Sequence, residues 1–163
     1  MKHLALVFFG IIIYFSPVLC AKAHIQIDDI WARATLNNLA NGAVFMTLTN
    51  TSGQGDMLVA ASSPAATTTE LHVHKTVNGV IQMRPVSALT IPAGGSITLQ
   101  PGAEHVMLIG LKRPLREGET IPLQLVFTHS NIVETTVQIR GAGALHLHPH
   151  TGHGNPDSGR TDH

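Results

Sequence analysis

Val44-Phe45-Met46-Thr47-Leu48-Thr49 sits between Asn41-Gly42 on one side and Ser52-Gly53-Gln54-Gly55 on the other. Apolar and polar side chains alternate through it, the pattern of a strand with one buried face. The Asn- and Gly-rich flanks punctuate it as turns. The same alternation recurs at Ile25-Gln26-Ile27, Ile97-Thr98-Leu99, Leu123 to Phe127 and Ile132 to Ile139. Further turn signals stand at Pro92-Ala93-Gly94-Gly95, Pro101-Gly102 and Glu117-Gly118. Val77-Asn78-Gly79-Val80 reads as a tight hairpin, because Asn-Gly suits a type I′ turn. Short strands at regular intervals, with no long helical period, predict an all-β chain folded as an antiparallel β-sandwich.

Outside this region the composition changes. A weakly basic tip (Met1, Lys2, His3) precedes the apolar run Leu4 to Phe15, and Ala21-Lys22-Ala23 supplies small residues at the spacing of a secretory cleavage site. The run is shorter than the ~20 residues a spanning helix needs. Residues 1–23 are therefore expected to be a signal peptide, with the mature chain starting at His24 and no membrane span left after cleavage. Cys20 follows Leu19, where a lipoprotein signal wants a small residue, so it is read as part of the discarded peptide. The mature chain would then hold no cysteine, and any soft-metal site must use methionine sulfur and histidine nitrogen. Residues 24–141 form one domain. Residues 142–163, rich in Gly, Pro and His, cannot bury a core and are expected to be a flexible tail. Without Lys2 and Lys22, eight basic residues face ten acidic ones, a balance that gives nucleic acid no footprint.

Chemistry concentrates in four residues. On a strand, His105 and Met107 point the same way while Val106 points into the core. The Asn78-Gly79 turn lies near the midpoint between His72 and Met83, so the hairpin brings their strands side by side. Two imidazoles and two thioethers could then converge. Thioethers select Cu(I), whereas structural zinc sites favour Cys and His and calcium or magnesium wants oxygen. Spacing by itself leaves the plainer alternative open, since methionine is a common core filler. His74 shares the face of His72 as an auxiliary ligand or a bystander. Trp31, Phe45 and Phe127 are assigned to core or site packing, Met46 and Met57 to the core, and His129 to the surface.

The spacing His72, ten residues, Met83, twenty-one residues, His105, one residue, Met107 resembles the PCu(A)C family of periplasmic copper chaperones. The likeness extends to Trp31-Ala32-Arg33-Ala34, Ala43 to Asn50, Glu70-Leu71-His72, Met83-Arg84-Pro85-Val86, Leu99-Gln100-Pro101-Gly102 and Gly110 to Leu115. It covers about residues 27–140. The resemblance implies a cupredoxin-like Greek-key sandwich and one Cu(I) on His72, Met83, His105 and Met107. It also implies a periplasmic location and delivery of copper to the CuA centre of cytochrome c oxidase subunit II or to a Sco-like thiol protein. A monomer without enzymatic activity is expected.

The tail places His146, His148, His150 and His153 within eight residues. Imidazoles without sulfur favour Cu(II), so this segment is a candidate Cu(II) arm. A terminal His24 could chelate Cu(II) through its amine and ring, but no second histidine for a copper monooxygenase site is evident. The alternative function is a periplasmic copper or zinc buffer working mainly through the tail.

Overall fold

The computed structural model describes residues 25–36, 40–77, 79–141 and 143. The signal segment, His24 and the histidines of the tail lie outside them. Ten strands and no helix occur among the described residues: β1 Ile25–Arg33, β2 Asn41–Asn50, β3 Asp56–Ser62, β4 Ala66–Val77, β5 Val80–Val86, β6 Leu89–Ile91, β7 Ser96–Leu99, β8 His105–Leu111, β9 Thr120–Phe127 and β10 Val133–Arg140. They hydrogen-bond in the order β5-β4-β8-β2-β1-β10-β9-β3-β6, with β7 added to β2.

The sheet curls into a sandwich around a main core. Val44, Leu48, Leu58, Ile91, Leu99, Val106, Leu108, Leu125 and Val137 are fully buried there, with Phe127 and Met46 close behind. The alternation in the sequence supplies this directly, since each buried residue is two from the next along its strand. The expected strands all form. Two differences from the sequence reading stand out in the pairing. The β1–β10 pair is parallel, joining the ends of the domain within a sheet whose other pairs are antiparallel. Asn41-Gly42 opens β2 rather than turning the chain, pairing with Ile109 and Leu108 of β8. Met57, expected in the core, is exposed, because Asp56 and Leu58 beside it take the inward positions of β3.

β1 carries an irregularity that matters for function. Asp28 pairs with Thr47 and Trp31 with Phe45, so one extra residue is accommodated between them. Asp29 adopts φ 48°, the left-handed region uncommon outside glycine. This is a β-bulge. Ile25 and Ile27, at odd positions before it, face the core; after it Ile30 and Ala32, at even positions, do. Trp31 and Arg33 are thereby turned to the opposite face.

Asp56 anchors the far end of the sandwich. Its Oδ1 accepts from the backbone N–H of Met57 (2.7 Å) and of His129 (2.9 Å), and its Oδ2 from that of Ser130 (2.9 Å). Burial pushes its pKa up, but the hydrogen bonds from Ser130, His129 and Met57 outweigh that and hold it below its ordinary 3.8. His129 is at the surface, as expected.

Candidate metal centre

In β8, Val106 and Leu108 enter the main core, so His105 and Met107 lie on the opposite face of the sheet. Pairing extends this face across the neighbours. His72 lies opposite His105 and Glu70 opposite Met107 on β4; Ala43 lies opposite Met107 on β2. On the β4–β5 hairpin, Val77 pairs with Val80, which leaves a two-residue connection with Gly79 at φ 78°. That register sets Met83 opposite His74 and Pro85 opposite His72. Met83 is therefore a diagonal neighbour of His72 and a direct neighbour of His74. All four expected ligands, together with His74 and Glu70, share one face of the sheet, the face turned away from the main core.

The β4–β8 pairing stops at His72–His105, while β4 runs on to Val77. Residues 74–77 and 80–83 thus form a two-stranded ribbon paired only with itself among the described residues, and it carries His74 and Met83. Under the face lies a small second core. Trp31 is fully buried, its ring centroid 4.8 Å from that of Phe45, and Phe45 lies 6.3 Å from His105. The guanidinium of Arg140 covers the indole at 5.4 Å and its Nη2 donates to Asp29 Oδ1 at 2.5 Å. Trp31 and Phe45 therefore floor the site, while Phe127 packs in the main core. A cavity of about 330 Å³ opens above, lined among others by Phe45, His74, Met83, His105, Met107, Arg33 and Pro101. His74 borders it, and His72 is not among its lining residues.

The imidazoles are not equivalent. His105 is 4 % exposed, and its Nδ1–H donates to the carbonyl of Ala103 at 3.0 Å, which leaves the lone pair on Nε2. Burial, with the nearby His72 and His74 rings, lowers its pKa below the ordinary 6.5 although the Ala103 hydrogen bond pulls upward. It is neutral at neutral pH. His72 Nε2 lies 2.8 Å from Glu70 Oε2, and its buried Nδ1 has no hydrogen-bond partner among the described residues. The His72 and His74 rings stand 5.7 and 5.6 Å from His105, the second edge-on. No group of three or more His, Cys, Asp or Glu among the described residues is placed to hold a metal. A metal on this face would need the thioethers, and those suit a soft ion. Met83 is 49 % exposed and Met107 half-buried, and both line the open cavity.

Glu70 and the Ala103 carbonyl were not foreseen as parts of the site. The first was within reach of the sequence, because Glu70 stands two residues before His72 on the same strand and must share its face. The Arg140–Trp31 cover was not, since it depends on the bulge and on the parallel pairing.

A family profile for LpqE-like lipoproteins matches residues 25–139. The chain belongs to the LpqE-like family. Lxx21020 of Leifsonia xyli subsp. xyli, named as a lipoprotein, is 33 % identical over 117 residues, 71 % of this chain and 69 % of the relative. The solution structure of CuI-DR1885 from Deinococcus radiodurans is 38 % identical, covers 74 % of this chain and 81 % of that one, and superposes with a TM-score of 0.58. The copper-bound PCuAC domain from PmoF2 shares the fold, with a TM-score of 0.62 over 72 % of this chain and 92 % of that one at 21 % identity. The resemblance to the PCu(A)C family and the expected β-sandwich both hold.

Proposed function

We propose that this LpqE-like chain is a periplasmic copper chaperone that carries one Cu(I) on His72, Met83, His105 and Met107. The observation that carries the reading is the shared face: two imidazoles, each with one ring nitrogen engaged and the other left without a hydrogen-bond partner among the described residues, on the same side of the sheet as two thioethers, with His105, Met83 and Met107 lining one cavity. The 38 % identity to CuI-DR1885 supports the metal and its oxidation state. Copper is cargo here. Neutral ligands leave the ion its single charge, and an exposed Met83 gives a thiolate acceptor a side from which to replace ligands one at a time. The acceptors proposed are the CuA site of cytochrome c oxidase subunit II or a Sco-like thiol protein. His74, across from Met83 on the ribbon, is the auxiliary donor, able to hold the ion while another ligand leaves. The tail histidines His146, His148, His150 and His153 are proposed to capture Cu(II).

The test is a Cu(I) competition titration of the full chain, of Met83→Ala and Met107→Ala, and of a chain ending at Gly141. One tightly held Cu(I) that survives truncation and weakens in each methionine variant is expected. Binding that vanishes on truncation and ignores both methionines would replace this reading with the tail-based copper or zinc buffer.

A further inference from the structure

The two histidines of the site are held by opposite nitrogens. A carboxylate only accepts, so the 2.8 Å contact from His72 Nε2 to Glu70 Oε2 places the ring proton on Nε2. The lone pair is then on Nδ1, which is buried and has no hydrogen-bond partner among the described residues. At His105 the carbonyl of Ala103 takes the Nδ1 proton, and the lone pair is on Nε2. Metal-binding imidazoles commonly donate their second N–H to a carboxylate or a carbonyl, which fixes tautomer and ring orientation.

We infer that Glu70 is a positioning residue that makes Nδ1 the copper-binding nitrogen of His72, so that one Cu(I) is held by Nδ1 of His72 and Nε2 of His105. Three independent features converge on Glu70. It is two residues from His72 on β4, so both side chains leave the same face. It pairs with Met107 across β8, which sets the carboxylate beside a thioether ligand. Its side chain is 40 % exposed against 12 % for His72, so the carboxylate stays hydrated while it holds a largely buried ring. Nδ1 lies nearer the backbone than Nε2. Ligation through it draws the ion down toward β4 and leaves the outer side of the ion to Met83 and His74 on the ribbon. Cu(I) enters without displacing Glu70: the bond formed is Cu–Nδ1, no proton moves, and copper keeps its charge.

This inference rests on the copper-site reading and is tested separately from it. The full chain is labelled with ¹⁵N-histidine, and two-bond ¹H–¹⁵N spectra are recorded with and without Cu(I), which is diamagnetic. Wild type is expected to show His72 protonated on Nε2 before loading. On loading, the largest displacements are expected at Nδ1 of His72 and Nε2 of His105. Glu70→Gln should mix the His72 tautomers, leave His105 as it was, and weaken Cu(I) about tenfold, within the range typical of outer-shell ligand partners. Unchanged His105 signals report an intact fold in that variant. Glu70→Asp, which keeps the charge, should recover more of the Nε2–H form than Glu70→Gln does. Displacement at Nε2 of His72 instead, or a wild-type tautomer and affinity in Glu70→Gln, overturns the inference while the copper site stands. If neither histidine ring responds to Cu(I), the inference and the copper reading fall together.

Discussion

Replacing His105 by Phe separates what the ring does for the fold from what it does for the metal. The ring is nearly enclosed, touching Phe45 on one side and the His72 and His74 rings on the other. Phe has a similar shape. The change removes one hydrogen bond to Ala103, a net ~0.5–1.5 kcal/mol, and adds apolar contact, so the two should nearly cancel at pH 7.5, within the ~1.5 kcal/mol of a volume-conserving swap. Acid should tell the proteins apart. Burial lowers the folded-state pKa of His105 below 6.5. Between that value and 6.5 the unfolded chain binds more protons than the folded one, so stability is full above 6.5 and is lost as pH falls through the window. Each unit of depression is ~1.36 kcal/mol. His105→Phe lacks this loss, and Asp56 titrates below 3.8, outside the window. Urea unfolding of the metal-free protein at pH 7.5 and 5.0, followed by the fluorescence of the single tryptophan, Trp31, measures the difference. The variant is expected to lose less stability than wild type over that range. Its Cu(I) affinity should fall by more than the ~10–100-fold typical of outer-shell changes. Equal acid losses in the two proteins would refute the buried neutral imidazole, and unchanged copper affinity would refute its role as ligand.

Asp56→Asn turns an amide donor or a weaker acceptor toward three part-buried backbone N–H groups and should cost about 1–3 kcal/mol at pH 7 in the same urea assay, the range for hydrogen bonds to a charged acceptor and for a donor left without its partner. Gly110→Ala should destabilise by about 1–3 kcal/mol, because Gly110 has φ 67° and a Cβ there would lie 2.9 Å from Thr67 Oγ1; thermal unfolding reads it. A chain ending at Gly141 should keep its Cu(I) site and lose Cu(II) uptake, measured by equilibrium dialysis. If the signal is cut after Ala23, Cys20→Ser should leave the mature mass and the periplasmic fraction unchanged; a shift from membrane to soluble fraction would instead point to a lipid anchor at Cys20.

The sequence revealed the site through short-range rules. His105-Val106-Met107 could only split between two faces of a strand, and Val77-Asn78-Gly79-Val80 could only close a tight hairpin if its strands formed. Those two facts bring the ligands to one side. The detail that Met83 faces His74 directly, with His72 on the diagonal, follows from counting outward from a two-residue turn and was within reach. β3 and β6 were harder to see. Asp56–Ser62 mixes a buried carboxylate with small residues and loses the alternation, and Leu89–Ile91 is only three residues long. For Trp31 and Phe45 the sequence left core packing and site packing open, and pattern reading alone could not choose between them. Plain alternation from Ile25 and Ile27 sends Trp31 into the main core, and nothing local signals that Asp29 takes a left-handed conformation.

The extra residue in β1 works like a half-step inserted in a march. Before it the strand keeps time with the interior; after it the same strand keeps time with the metal face, and neither half has changed its own rhythm. Relatives compared position by position across residues 25–33 will align in meaning only if they share that half-step. A chain of this fold lacking one residue here would place its aromatic floor inside the sandwich and leave the proposed ligand positions without that floor, however well the four residues themselves were kept.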